Sequence, residues 1–193
     1  MNANANEPIE PHGAEQIEYL VKAVQAGQVE HYRGIVLHFQ RKLHLYCYHM
    51  TGDRAESEDI VQEVFLKAFR EIGKYRPTVS FSAWLYKIAY RHCLNSLKRH
   101  KGQHRLLSLI KLQWPSAPSP RTAETADHLL TGLSPEDRQL IILRTLEERS
   151  FAEIAELTSV NAVALRKKFE RIRKKLRNQT RKEILDEGLF PGL

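Results

Sequence analysis

With 193 residues, 42% of them hydrophobic, the chain is long enough for one medium core or two small ones. Its 30 Lys and Arg against 23 Asp and Glu give a formal net charge of +7, which points to a polyanionic partner, nucleic acid ahead of an anionic membrane. No apolar run approaches the roughly 18–20 residues of a membrane span, and the opening "MNANANEPIEPHGAE" lacks the basic-then-apolar order of a signal peptide, so a cytoplasmic chain without stable membrane insertion is expected.

Residues 1–14 mix Asn, Pro and Glu with no apolar period and are expected to form a disordered tail. Residues 15–101 then read as helical almost throughout. "IEYLVKAVQAG" sets Ile17, Leu20, Val21 and Val24 at helical spacing, with Gly27 as a stop. "YRGIVLHFQRKLHLYCYHM" carries Ile35, Val36, Phe39, Leu43, Tyr46 and Cys47 on one stripe, and "TGD" breaks it. Asp53 has the position of a helix cap, with Glu56 at capping-box spacing. The helix it opens reaches about Ile72 and contains "ESEDIVQEVFLKAF". Along it Ile60, Val64 and the row Val61, Phe65, Phe69 are expected to feed the core, leaving Glu56, Asp59, Gln62 and Glu63 outside. Acids there would repel phosphates, so this face fits a basic protein partner better than DNA. "GKYRPTVSF" reads as a loop, and "FSAWLYKIAYRHCLNSLKRH" resumes the helical period. The two cysteines, Cys47 and Cys93, fall in apolar helical segments and are expected as buried reduced thiols.

Residues 102–127, with Pro115, Pro118 and Pro120, read as an extended linker with at most a helical turn around Leu106–Leu112. A second compact unit is expected over 128–180, followed by a C-terminal tail at 181–193. Ser134 as cap with Pro135 at the first helical position is a start signal, and Ser150 with Glu153 again has capping-box spacing. No strand-like alternation and no internal repeat occurs. The fold class is therefore all-α: two small helical domains joined by a linker.

Within "SFAEIAELTSVNAVALRKKFERI" a short helix and the start of a longer one are separated by about three residues, with Asn161 capping the second, the pattern of a helix-turn-helix. The second helix is dense in cations: Arg166, Lys167, Lys168, Arg171, Arg173, Lys174, Lys175 and Arg177 against Glu170. Such a face neutralises several phosphates and reaches purine edges in a major groove. In the first unit, "KYRPTVSFSAWLYKIAYRHCLNSLKRHK" interleaves Tyr75, Phe81, Trp84, Tyr86 and Tyr90 with Lys and Arg. Aromatic faces for base stacking beside cations for the backbone suit melted DNA better than plain duplex. Trp84 has core spacing; Tyr75, Arg76 and Phe81, on or beside the loop, are the better candidates to touch a base.

"SEDIVQEVFLKAF", then "FSAWLYKIAYRHCLNSLKR", then "LSPEDRQLIILRTLEERSFAEIAELTSVNAVALRKKFERIRKKL" together resemble the extracytoplasmic-function (ECF) sigma factors, two-domain initiation subunits that keep only regions 2 and 4. The resemblance spans roughly residues 17–178. It implies that the region 2 helix with Asp59, Gln62, Glu63 and Leu66 docks on the clamp helices of core RNA polymerase. It implies that Tyr75, Arg76, Phe81, Ser82, Trp84, Tyr90, Arg91, Asn95, Lys98 and Arg99 melt and read the −10 element, a flipped base entering a loop pocket between Tyr75 and Ser82. Region 4 would read the −35 element through Asn161, Ala162, Arg166, Lys167, Lys168 and Arg171, and the linker would thread toward the polymerase active centre. Promoter DNA, core RNA polymerase and an anti-sigma factor are the implied partners, with a monomer expected in their absence. Two positions depart from the family pattern: Ser159 stands where the turn usually has Gly, and Ala162 and Ala164 give the reading helix a small apolar start, open to thymine methyls. No phosphate-binding Gly-rich loop, metal-ligand spacing or nucleophile–base set is visible, so neither enzymatic activity nor a cofactor is expected. The alternative is a stand-alone helix-turn-helix regulator that binds duplex DNA without polymerase.

Overall fold

The computed structural model describes residues 14–111, 130 and 132–186. The expected N-terminal tail, most of the linker and the far C-terminus lie outside the described residues. Among the described residues there is no strand.

Helix α1 (Ala14–Gln25) buries Ile17, Val21 and Val24 and ends where Gly27 turns left-handed at φ 95°. A 3₁₀ turn, Val29–His31, leads into α2 (Tyr32–Thr51), whose stripe Ile35, Phe39, Leu43, Tyr46, Cys47 and Met50 is buried. Gly52, at φ 77°, closes α2 by returning its N–H to Tyr48 O. The carboxylate of Asp53 then accepts the Glu56 N–H at 2.9 Å and starts α3 (Arg54–Glu71). The second half of the capping box is absent, because the Glu56 carboxylate turns instead to Arg99 at 3.0 Å and His100 at 3.1 Å. A 3₁₀ turn (Ile72–Lys74) and a loop follow, and Ser80 caps α4 (Phe81–Lys111) through the Ala83 N–H.

Helices α2, α3 and α4 pack side by side with α1 across them, and the aromatic pairs Phe39–Phe81 and Tyr46–Tyr86 sit inside the bundle. Cys47 and Cys93 are both free and buried, as expected, and touch each other: their mutual hydrogen bond and burial push the Cys47 thiol up.

In the second unit α5 (Pro135–Ile141), capped by Ser134, widens into a π-helical turn (Ile142–Leu146). Helix α6 (Phe151–Thr158) carries the full Ser150–Glu153 capping box, and Ser159 holds the left-handed φ of 59°. Asn161 caps α7 (Ala162–Asp186) by accepting the Val163 N–H at 2.8 Å. Leu140, Leu143, Ile154, Leu157, Leu165, Phe169 and Ile172 form the core between these helices.

Three expectations on extent are corrected. Helix α4 runs on to Lys111 rather than stopping near Lys101, because a lone Gly102 costs a helix only about 1 kcal/mol and the next proline along the chain is Pro115. Helix α7 likewise passes residue 180 to Asp186. Phe69, expected in the core, is 42% exposed.

Candidate nucleic-acid and partner interfaces

The α3 face divides into a polar and an apolar half. Asp59, Gln62, Glu63 and Leu66 are all exposed, as their spacing requires. On one side they share a recess with Glu56, His92, Asn95 and Arg99. The nearby Ser96 hydroxyl first, then the hydrogen bond and charge of His100 and the charge of Arg99, hold the Glu56 carboxyl below the usual carboxylate range. On the other side Leu66 opens onto an apolar groove of Val29, Tyr32, Phe65 and Phe69. Val29, Leu66 and Phe69 are the exposed apolar side chains of this patch. The Tyr32 hydroxyl donates to Phe65 O at 2.6 Å, and its ring meets Phe69 edge-on at 4.9 Å, which fixes the groove wall. Val29, Tyr32 and Phe69 of this groove were not among the candidate residues singled out in the sequence. The signal lay in Phe69, which the i, i+4 row from Phe65 assigned to the core although α3 needed only Ile60, Val64 and Ala68 inward.

The aromatic loop is built differently from the sequence expectation. Tyr75 and Phe81 are 3% and 1% exposed, so neither presents a face to a base in this structure. Their rings meet each other at 5.3 Å and Trp84 at 5.5 and 5.3 Å, a three-ring cluster that forms the wall of the loop. The alternation of aromatic and basic residues marks a helix with one face inward, and periodicity alone does not tell which ring faces in. Arg76 is exposed and folds back onto Gly73 O and Tyr75 O, each at 2.9 Å. Arg91, Asn95, Lys98 and Arg99 are exposed along α4, while Ser82, Trp84 and Tyr90 are half-buried.

The reason Ser82 and Tyr90 are covered is the second unit, which closes over them. Arg149 donates to Ser82 Oγ at 2.9 Å and lies over the Tyr86 ring at 4.6 Å. The Tyr86 hydroxyl donates to Glu147 Oε2 at 2.5 Å, and Arg149 Nε stands 3.5 Å from the same oxygen. Burial, and then the Glu147 charge, push the Tyr86 hydroxyl well up; burial and Glu136 push Tyr90 up to about 12. Ser80 Oγ donates to Glu156 at 3.3 Å. Deeper in the seam Gln139 donates to the Tyr46 hydroxyl at 3.1 Å, and Arg138 reaches the Met50 carbonyl near the end of α2. Glu148, at φ 54°, forms the left-handed corner between Glu147 and Arg149 that turns both toward Tyr86. A cleft of about 430 Å³ remains between the units, lined by Glu18, Glu147, Glu153 and Glu156 with Lys42 and Arg149. Its excess of carboxylates is hostile to a phosphate backbone.

The helix-turn-helix faces outward. Asn161, Arg166, Lys167 and Arg171 are exposed, and Ala162 is half-buried beside a 63% exposed Val163. Lys168 is half-buried, and its ammonium meets Asp137 of α5 at 2.7 Å, an ion pair that ties α7 to its own domain. The guanidinium of Arg166 sits 5.6 Å from the Phe151 ring centre and keeps its donors available at the surface. Among the described residues no group of His, Cys, Asp and Glu is placed to hold a metal, and no helix is long and apolar enough to cross a membrane.

Two family models match this chain, Sigma-70 region 2 over residues 35–103 and Sigma-70, region 4 over residues 123–176. The ECF RNA polymerase sigma factor SigW of Bacillus subtilis is 26% identical over 181 residues, covering 86% of this chain and 97% of the relative. The RNA polymerase sigma-H factor of Pseudomonas aeruginosa is 28% identical over 202 residues, covering 93% and 96%. In structure, CnrH bound to the cytosolic domain of CnrY aligns with a TM-score of 0.67 at 19% identity, over 91% of this chain and 99% of CnrH. RpoE from Bartonella quintana, bound to the anti-sigma factor NepR, aligns at 0.58 and 19% identity, over 78% and 96%. At these identities the two structures speak for the fold.

Proposed function

Since the chain belongs to the extracytoplasmic-function group of the sigma-70 family, whose members direct RNA polymerase to promoters as non-catalytic subunits, we propose a residue-level division of that work. Residues 15–101 act as region 2 and 128–180 as region 4. Asp59, Gln62, Glu63 and Leu66, extended by Phe69 and Val29, dock on the clamp helices of core polymerase. Asn95, Lys98 and Arg99 lie against the upstream edge of the −10 element, and the loop from Tyr75 to Ser82 takes a flipped base. Asn161, Ala162, Arg166, Lys167 and Arg171 read the −35 element. The work is cytoplasmic, where polymerase and promoters are.

One observation carries this reading: a basic chain displays, on α3, exposed carboxylates running into an exposed apolar groove. That combination fits a protein surface and repels DNA. Because Ser80 and Ser82 are engaged by region 4, the −10 loop reads DNA only after the two domains part. A relative of this fold is held by an anti-sigma factor, and a partner of that kind is proposed for this chain also. The deciding experiment is a footprint on a promoter with this protein alone and with core polymerase added. Protection that needs core polymerase supports the reading; full protection by the free protein would establish a stand-alone helix-turn-helix regulator instead.

A further inference from the structure

Helix α1 lies outside the residues matched by either family model, yet it holds the −10 loop at both ends. At the entry, Gln25 Nε2 donates to Ile72 O at 2.8 Å and Tyr75 O at 3.0 Å, bracketing the 3₁₀ turn that leads into the loop. Across the loop, Glu18 Oε1 lies 2.7 Å from the Tyr75 hydroxyl and accepts the Phe81 N–H at 3.2 Å. Tyr75 begins the loop and Phe81 begins α4, so one carboxylate oxygen joins the two ends of the segment. The Tyr75 hydroxyl is also 2.9 Å from Val79 O, inside the same segment. Burial, and then Glu18, push that hydroxyl up, which keeps it a donor. The Phe81 N–H is one of the unpaired donors at a helix start, where a carboxylate is also favoured by the helix dipole.

These contacts have a consequence for specificity. A pocket for an unstacked base discriminates by the position of a few backbone and side-chain groups, and a shift of about 1 Å is enough to lose selectivity. Arg76 and Ser80 stand on the backbone between the two tied ends, and Ser82 directly follows the second. We propose that Glu18 and Gln25 are positioning residues for −10 recognition: α1 sets the shape of the loop and so the base preference of its pocket, without touching DNA. The proposal rests on the loop being the −10 pocket, as assigned above.

The test uses the full chain with core polymerase on two promoter libraries, one randomised in the −10 element and one in the −35 element. At matched core occupancy, Glu18→Ala and Gln25→Ala each flatten the −10 base preference about tenfold, the order of one lost polar discrimination, while leaving the −35 preference as it was. Glu18→Gln keeps an acceptor oxygen for both donors and restores the preference; that rescue separates positioning from a general loss of fold, as does an unchanged melting curve. Ser82→Ala and Arg76→Ala serve as the reference. If they alter the −10 preference and Glu18→Ala does not, or if Glu18→Ala lowers activity on all promoters equally, the positioning role is overturned and the pocket stands. If none of the variants changes the −10 preference, the pocket assignment itself is overturned.

Discussion

Replacing Tyr86 by Phe removes one oxygen and tests whether the closed arrangement of the domains governs access to the −10 loop. The hydroxyl donates to a Glu147 carboxylate that is 5% exposed, against an Arg149 side chain that is 14% exposed. A buried hydrogen bond to a charged group contributes about 1.5–3 kcal/mol. Opening returns Glu147 and Arg149 to water, so the loss falls on the closed form alone, and the ring and its packing on Tyr46 are kept. The closed-to-open ratio should therefore fall by roughly 10- to 150-fold. While the closed form dominates, the affinity of the free protein for a single-stranded −10 oligonucleotide should rise by the same factor. Dyes on Arg41→Cys and Glu170→Cys, both exposed positions on different domains, report the interdomain distance, since Cys47 and Cys93 are buried and do not compete for label. A folded Tyr86→Phe variant with the parental distance distribution and the parental oligonucleotide affinity would refute the reasoning.

Three further outcomes are expected. Leu66→Asp puts a charge at the centre of the proposed docking face and should weaken core polymerase binding by about 2 kcal/mol or more, roughly 30-fold, and Asp59→Lys or Glu63→Lys should weaken it too; unchanged core binding by titration across the set would remove the docking assignment. Lys167→Ala and Arg171→Ala should each reduce the salt dependence of −35 DNA binding by about one unit of log–log slope, whereas Lys168→Ala should leave the slope alone and lower the melting temperature through its ion pair with Asp137. Ser159→Gly relieves a left-handed residue at a cost in chain entropy, for a net gain of about 0.5–1 kcal/mol and a rise of a few degrees in the thermal midpoint of the second unit.

What the sequence disclosed was what is local. Asp53, Ser134, Ser150 and Asn161 cap helices by bonds to residues two or three positions on, so spacing alone announced them. The apolar stripes of α1 and α2 announced the core, and the acids of α3 announced an outward face. The contacts the sequence did not announce share a cause in long-range pairing. Tyr75 looked like a stacking platform because nothing near it in sequence names Glu18 as its partner. Lys168 looked like a phosphate contact because Asp137 is far away along the chain. Ser82 and Tyr90 were read as DNA-facing and Tyr86 as one of the aromatics interleaved with bases, and the structure places all three in a seam between domains that no periodicity encodes. Glu56 shows the limit of a short motif: its spacing fits a capping box, but Arg99 and His100 offered its carboxylate a stronger partner than a backbone N–H.

On the proposed assignments, the seam also sets an order for the events of initiation. In the closed form the docking residues of α3 are exposed and the −35 reading helix is exposed, while the −10 loop is engaged by Arg149 and Glu156. If the proposed assignments hold, polymerase binding needs no prior opening, and −10 reading does. The residues that cover the loop belong to region 4, the same unit that carries the proposed −35 reader on α7. Carrying region 4 away to a −35 element thus removes Arg149 and Glu156 from the loop in the same motion. The two promoter elements become coupled without any contact between their readers once the protein is open. On the proposed roles, a promoter whose −35 element is too weak to hold region 4 would let region 4 close over the loop again, so the few hydrogen bonds of the seam would discriminate against promoters that supply only one of the two elements.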